Sequence, residues 1–73
     1  NPILDYFKVQ FDQFASGSII IQDIHGNIRY QEVFNKMNQL HIQLDEMAPG
    51  MYLVNLNLDQ NQKFVKKIIV LNP

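Results

Sequence analysis

The run Leu44-Asp45-Glu46-Met47-Ala48-Pro49-Gly50-Met51-Tyr52-Leu53-Val54-Asn55-Leu56-Asn57-Leu58 reads as a turn feeding a strand. Pro49 fixes φ and Gly50 tolerates positive φ, so the pair suits the central positions of a type II turn. Beyond it, Tyr52, Val54, Leu56 and Leu58 alternate with Met51, Leu53, Asn55 and Asn57. A period of two is the signature of a strand with one buried face.

Working outward, the same alternation recurs on both sides. Ile3, Phe7, Val9 and Phe11 alternate with polar residues, which predicts an N-terminal strand. Ala15-Ser16-Gly17-Ser18 is a run of small residues and predicts a turn. Ile19 to Ile24 is β-branched and nearly continuous, as a central strand should be. His25-Gly26-Asn27 predicts a hairpin turn into Ile28 to Phe34. Asn35 to Asn38 is polar and reads as a loop. Leu40, Ile42 and Leu44 form a short strand. On the other side, Asp59 to Gln62 is a second hairpin turn, followed by a last strand over Lys63 to Leu71 with Phe64, Ile68 and Val70 as core contributors. No helical period competes. The expectation is an all-β single domain over residues 1–73, an antiparallel β-sandwich of about six to seven strands.

Composition narrows the function classes. The chain has 73 residues and no cysteine. A domain of this size buries only about 60% of its unfolded surface, so its stability is marginal and rests on packing alone. Net charge is −1, with acids and bases nearly balanced. That balance argues against nucleic acid and against an anionic membrane as partners. No apolar run approaches the roughly 20 residues of a membrane span, so no membrane insertion is expected. The abrupt Asn1-Pro2 start, with no initiator Met and no signal-peptide pattern, suggests a piece of a larger precursor.

The chemistry of single residues points mostly to structure. Asp23, at the end of its strand, is placed to accept backbone N–H bonds across the following turn. Gly26 and Gly50 are there for backbone conformation. Tyr52 reads as a core aromatic whose hydroxyl reaches a backbone partner. Lys66 and Lys67 read as solvated strand residues that also guard an edge. His25 and His41 are isolated turn and strand residues, and no metal or other cofactor is expected. Asp45 and Glu46 are adjacent and so point to opposite faces of a strand. Ser16 and Ser18 lack a base at triad spacing. No enzyme is therefore expected.

The order of these features resembles a known family. Asn1-Pro2 opens the chain, and Asp23-Ile24-His25-Gly26 ends a strand. Ile42-Gln43-Leu44 leads to Met47-Ala48-Pro49-Gly50-Met51-Tyr52, and Lys66-Lys67-Ile68-Ile69-Val70 closes the set. This resembles the type A C-terminal sorting domain of proteins exported by the type IX (Por) secretion system of Bacteroidota. That family opens with Pro-Asn-Pro, carries Asp-x-x-Gly and Leu-x-x-Gly-x-Tyr, and ends in a Lys-rich strand. The leading Pro is absent here, Met47 stands for the Leu, and the tail is less basic. The resemblance implies an Ig-like sandwich at the C-terminus of a secreted cargo. It implies passage through the periplasm, recognition by the type IX translocon, and removal by a sortase-like protease. The cargo then reaches the cell surface or the medium. The motif residues it marks are Asp23, Gly26, Pro49, Gly50, Tyr52, Lys66 and Lys67. The alternative class is a carbohydrate- or adhesin-type binding module, for which Tyr6 and Tyr30 would be the exposed aromatics. An edge-strand dimer is also compatible with a small sandwich.

Overall fold

A computed structural model describes residues 6–43 and 47–71. It contains four strands: β1 (Tyr6–Asp23), β2 (Ile28–Gln43), β3 (Gly50–Leu58) and β4 (Gln62–Val70). They form one antiparallel sheet in the order β2-β1-β3-β4. The all-β antiparallel expectation holds, and the isoleucine-rich segment is central, flanked by β2 and β3. The proposed start at Ile3, the residue Leu44 and the pair Asp45-Glu46 lie outside the described residues.

The number of strands differs from expectation because two expected breaks are not breaks. Ala15 to Ser18 stays within β1, and Asn35 to Asn38 stays within β2. What the small and polar residues mark is a corner. Between the pairs Gln10↔Gln39 and Ala15↔Met37, β1 spends four residues against one in β2. Between Ala15↔Met37 and Gly17↔Phe34, β2 has the surplus. Such bulges bend a strand and increase its twist.

The bend is large. A straight strand of 18 residues would run roughly 59 Å, yet the longest dimension of the molecule is 36 Å. The outer half of the first hairpin, Tyr6–Gln10 with Gln39–Gln43, therefore folds back over the sheet. Leu40 and Ile42, from the outer half, share one core with Ile19, Ile21, Phe34, Tyr52, Val54 and Leu56. Ile19, Ile21 and Ile42 are wholly buried. The connection from Gln43 to Gly50 is only six residues, which demands the same return.

The corner is stitched by Ser16. Its Oγ accepts the Lys36 N–H at 2.9 Å and donates to Asn35 Oδ1 at 3.0 Å, while its carbonyl accepts the Asp59 N–H at 3.0 Å. Lys36 sits at φ +53°, a left-handed conformation unfavourable for a side chain, and Ser16 secures it. Phe11 stacks on Phe34 across the bend at 5.6 Å. Gly17 is where β3 crosses closest. A Cβ there would lie 2.1 Å from the Asn57 carbonyl oxygen, so the position requires glycine for space. The central strand ends at Asp23, one residue earlier than expected, which leaves Ile24 exposed in the turn. Of the expected core contributors Phe64 is exposed, on the outermost strand, where no further described strand covers it.

Candidate functional site

Asp23 ends β1 on the same face as Ile19 and Ile21, and its side chain is 13% exposed. Three residues lie between Asp23 and Asn27, a loop closed by Asp23 N–H to Asn27 O at 2.9 Å and Gly26 N–H to Asp23 O at 3.0 Å. Gly26, at φ +86°, takes the left-handed position that ends this loop type. The Asp23 carboxylate then closes over the turn. Oδ1 accepts the His25 and Asn27 N–H groups, each at 2.9 Å. Oδ2 accepts Asn27 Nδ2 at 3.4 Å and Arg29 Nε at 3.1 Å. Partial burial pushes the Asp23 pKa up, but the bonds from Asn27, His25 and Arg29 outweigh it and hold the carboxyl below its ordinary value. The motif spacing Asp-x-x-Gly is thus a turn latch.

Tyr52 pairs directly with Asp23 across the β1–β3 ladder, so the two motifs meet in space. Tyr52 is 5% exposed, and its hydroxyl donates to the Ala48 carbonyl, four residues upstream. This ties the segment before β3 to the core. Pro49 is exposed. Gly50 is the first residue of β3, opposite Val70, with φ +151°. That corrects the type II turn, which needs φ near about +80° at its third residue. Glycine is still required by the positive φ, since open space surrounds its missing Cβ. The Lys66 and Lys67 side chains stand on opposite faces of β4, Lys66 opposite Val54 and Lys67 opposite Leu53. The structure therefore joins Asp23, Gly26, Gly50 and Tyr52 at one end of the sheet and sets the lysine pair along its edge.

Sequence reasoning missed Ser16, Gly17 and Arg29. Gly17 and Ser16 were legible as part of the small-residue run Ala15 to Ser18, a signal that marks a corner as well as a turn. Arg29 carries no local signal; it reaches Asp23 only because the hairpin brings i and i+6 together. Tyr30 also departs from expectation. It is half-buried, and its hydroxyl donates to Glu32 Oε1. Burial and the Glu32 carboxylate push its pKa up to about 12. Tyr6 is 37% exposed and packs on the His41 ring at 5.0 Å. Of the two tyrosines that a binding module would use, only Tyr6 is exposed; the more exposed rings, Phe14 and Phe64, lie at the corner. A cleft of about 800 Å³ opens at the corner between Phe11, Phe14, Leu58 and Phe64, away from the motif residues. Among the described residues no three metal-ligating side chains converge.

Asp23 and Tyr52 thus face each other at one end of the sheet, and Lys66 and Lys67 stand on the adjoining strand β4. Residues 1–71 match the family described as the secretion system C-terminal sorting domain. The chain belongs to that family. It is a C-terminal secretion signal of the type IX system. It is also similar to the ulvan lyase NLR42 of Nonlabens ulvanivorans, with 27% identity over 71 residues, which is 96% of this chain. The match covers 13% of that enzyme's length. No solved structure matches the chain. The sorting domain's own role is that of a signal, and a signal of this kind implies export to the cell surface or the extracellular space.

Proposed function

We propose that the chain is the address label of a larger exported cargo, read as a folded surface at the outer membrane. The single observation that carries this is the family match over nearly the whole chain, residues 1–71. The cargo lies N-terminal to the domain and crosses the inner membrane first. The domain folds in the periplasm, the type IX translocon recognises it, and a sortase-like surface protease removes it. The fold behind this reading is an Ig-like sandwich whose two layers are made by one bent sheet. Each long strand counts as two around the Ser16 corner, which yields the six segments of the sequence pattern. Tyr52 supports it, because a hydroxyl bonded to backbone a few residues upstream is a device of Ig-like sandwiches. In this reading Asp23, Gly26, Pro49, Gly50 and Tyr52 hold the recognised surface in shape. Lys66 and Lys67 lie on the strand that meets the machinery.

The test is a fusion. A periplasm-directed reporter carrying residues 1–73 at its C-terminus is expressed in a type IX-competent cell. The reporter is expected at the cell surface or in the medium. Retention in the periplasm, with the domain shown to be folded there, overturns the proposal.

A further inference from the structure

The two edges of the sheet are built differently. The β2 edge is interrupted by bulges, turns a corner at Lys36 and carries Glu32 on its inner face, all devices that discourage pairing. The β4 edge has none of the bulges. Its register against β3 runs unbroken from Gly50↔Val70 to Leu58↔Gln62. Every β4 residue except Ile68 and Val70 is exposed. Its second side pairs with no described strand, so alternate backbone N–H and C=O groups point outward along a straight edge.

The side chains on this edge form a pattern. Phe64, Lys66, Ile68 and Val70 share the face of Leu56, Val54 and Tyr52. Lys63, Val65, Lys67 and Ile69 share the opposite, outer face. Val65 is 66% exposed and Ile69 65%. The outer face thus reads cation, aliphatic, cation, aliphatic. β4 holds three of the six cations of the chain and no acid, so it is positive on a molecule of net charge −1. Like charges directly opposite each other destabilise a strand pair, and opposite charges support it.

We infer that the free edge of β4 takes an added strand from a partner protein, and that this strand alternates acidic and aliphatic residues on one face. Main-chain hydrogen bonds along Gln62–Val70 supply the pairing. Acidic side chains meet Lys63 and Lys67, and aliphatic ones cover Val65 and Ile69. The lysines select against a second copy of β4 and against basic strands, which makes the edge specific rather than sticky. This deepens the sorting-label reading and rests on it, because it names the chemistry by which the label is held.

The test uses the 73-residue chain and a synthetic nine-residue peptide with glutamate and valine alternating on one face and threonine on the other. The control peptide has lysine for glutamate. Amide exchange and chemical shifts are followed by NMR. The acidic peptide is expected to protect alternate amides of residues 62–70 and to bind more weakly as salt rises. The basic peptide, or the double variant Lys63→Glu/Lys67→Glu, is expected to weaken binding by about tenfold or more. Lys8→Glu, the same kind of change on the folded-back half, is expected to leave it intact. Protection by both peptides alike, no protection of β4, or self-association of the chain through β4 overturns the inference. The export fusion separates the two readings. Wild-type export with loss in the double variant supports both. Export of both forms alike overturns the edge inference alone. Failure of the wild type to be exported overturns the sorting reading, and the peptide result still decides the edge.

Discussion

Hairpins β1–β2 and β3–β4 close with the same three-residue loop. In the first, Gly26 takes the left-handed position at φ +86°; in the second, Asn61 takes it at φ +65°, with its N–H bonded to Leu58 O at 3.1 Å. Away from the loop they diverge. The first hairpin has its turn closed by the Asp23 carboxylate, turns a corner stitched by Ser16, and supplies Ile19, Ile21, Phe34, Leu40 and Ile42 to the core. The second supplies Tyr52, Val54 and Leu56 from β3, while β4 adds only the partly buried Ile68 and Val70 and is otherwise exposed. The same local turn chemistry thus serves a hairpin that makes the core and one that lends half of itself to it. The difference shows that hairpin formation is local, whereas burial is allotted by position in the sheet.

The largest expected effect is in the centre. Ile21→Ala should cost about 4 kcal/mol, enough to leave a domain of this size mostly unfolded by circular dichroism. Val65→Thr, on the outer strand of the other hairpin, should change stability by less than about 0.5 kcal/mol. Equal effects would break the comparison. Next comes Gly17→Ala, which sets a methyl against the Asn57 carbonyl. It should cost about 3 kcal/mol in denaturant melts, the upper end of overpacking. Gly50→Val should cost about 2 kcal/mol through backbone strain alone, since nothing crowds the site. An unchanged melting temperature would deny the positive φ. Tyr52→Phe removes the bond to Ala48 and should cost about 1 kcal/mol.

The smallest expected effect concerns pH and the latch. The Asp23 pKa is lowered in the folded state. Its contribution is therefore fully present above the unfolded carboxyl value, about 3.9, and is lost as pH falls below that through the folded value. Melting temperature followed from pH 6 down to about 2 should drop for the wild type. Asp23→Asn should flatten part of that drop.

The sequence was legible where structure is local. Alternation named the buried face of β3, the continuous β-branched run from Ile19 named the central strand, and the Gly and Asn positions named both hairpin loops. Asp23 was readable as a turn cap, because its partners His25 and Asn27 lie within four residues. The motif order was readable as a sorting domain for the same reason, each element being a short string. The corner was not. Ala15 to Ser18 has the composition of a turn, and only the register shows that the chain goes on pairing through it.

By itself, then, the amino-acid sequence determined the strand period, the loops, the secretion-signal family and the near-neutral charge. These follow from side-chain pattern and composition. The tertiary structure alone decided that two breaks were one corner. It decided too that Asp23 and Tyr52 stand side by side, that Gly17 makes room for the Asn57 carbonyl, and that β4 has no second partner among the described strands. Each of these depends on residues far apart in the chain, brought together by sheet order and by burial of one shared core.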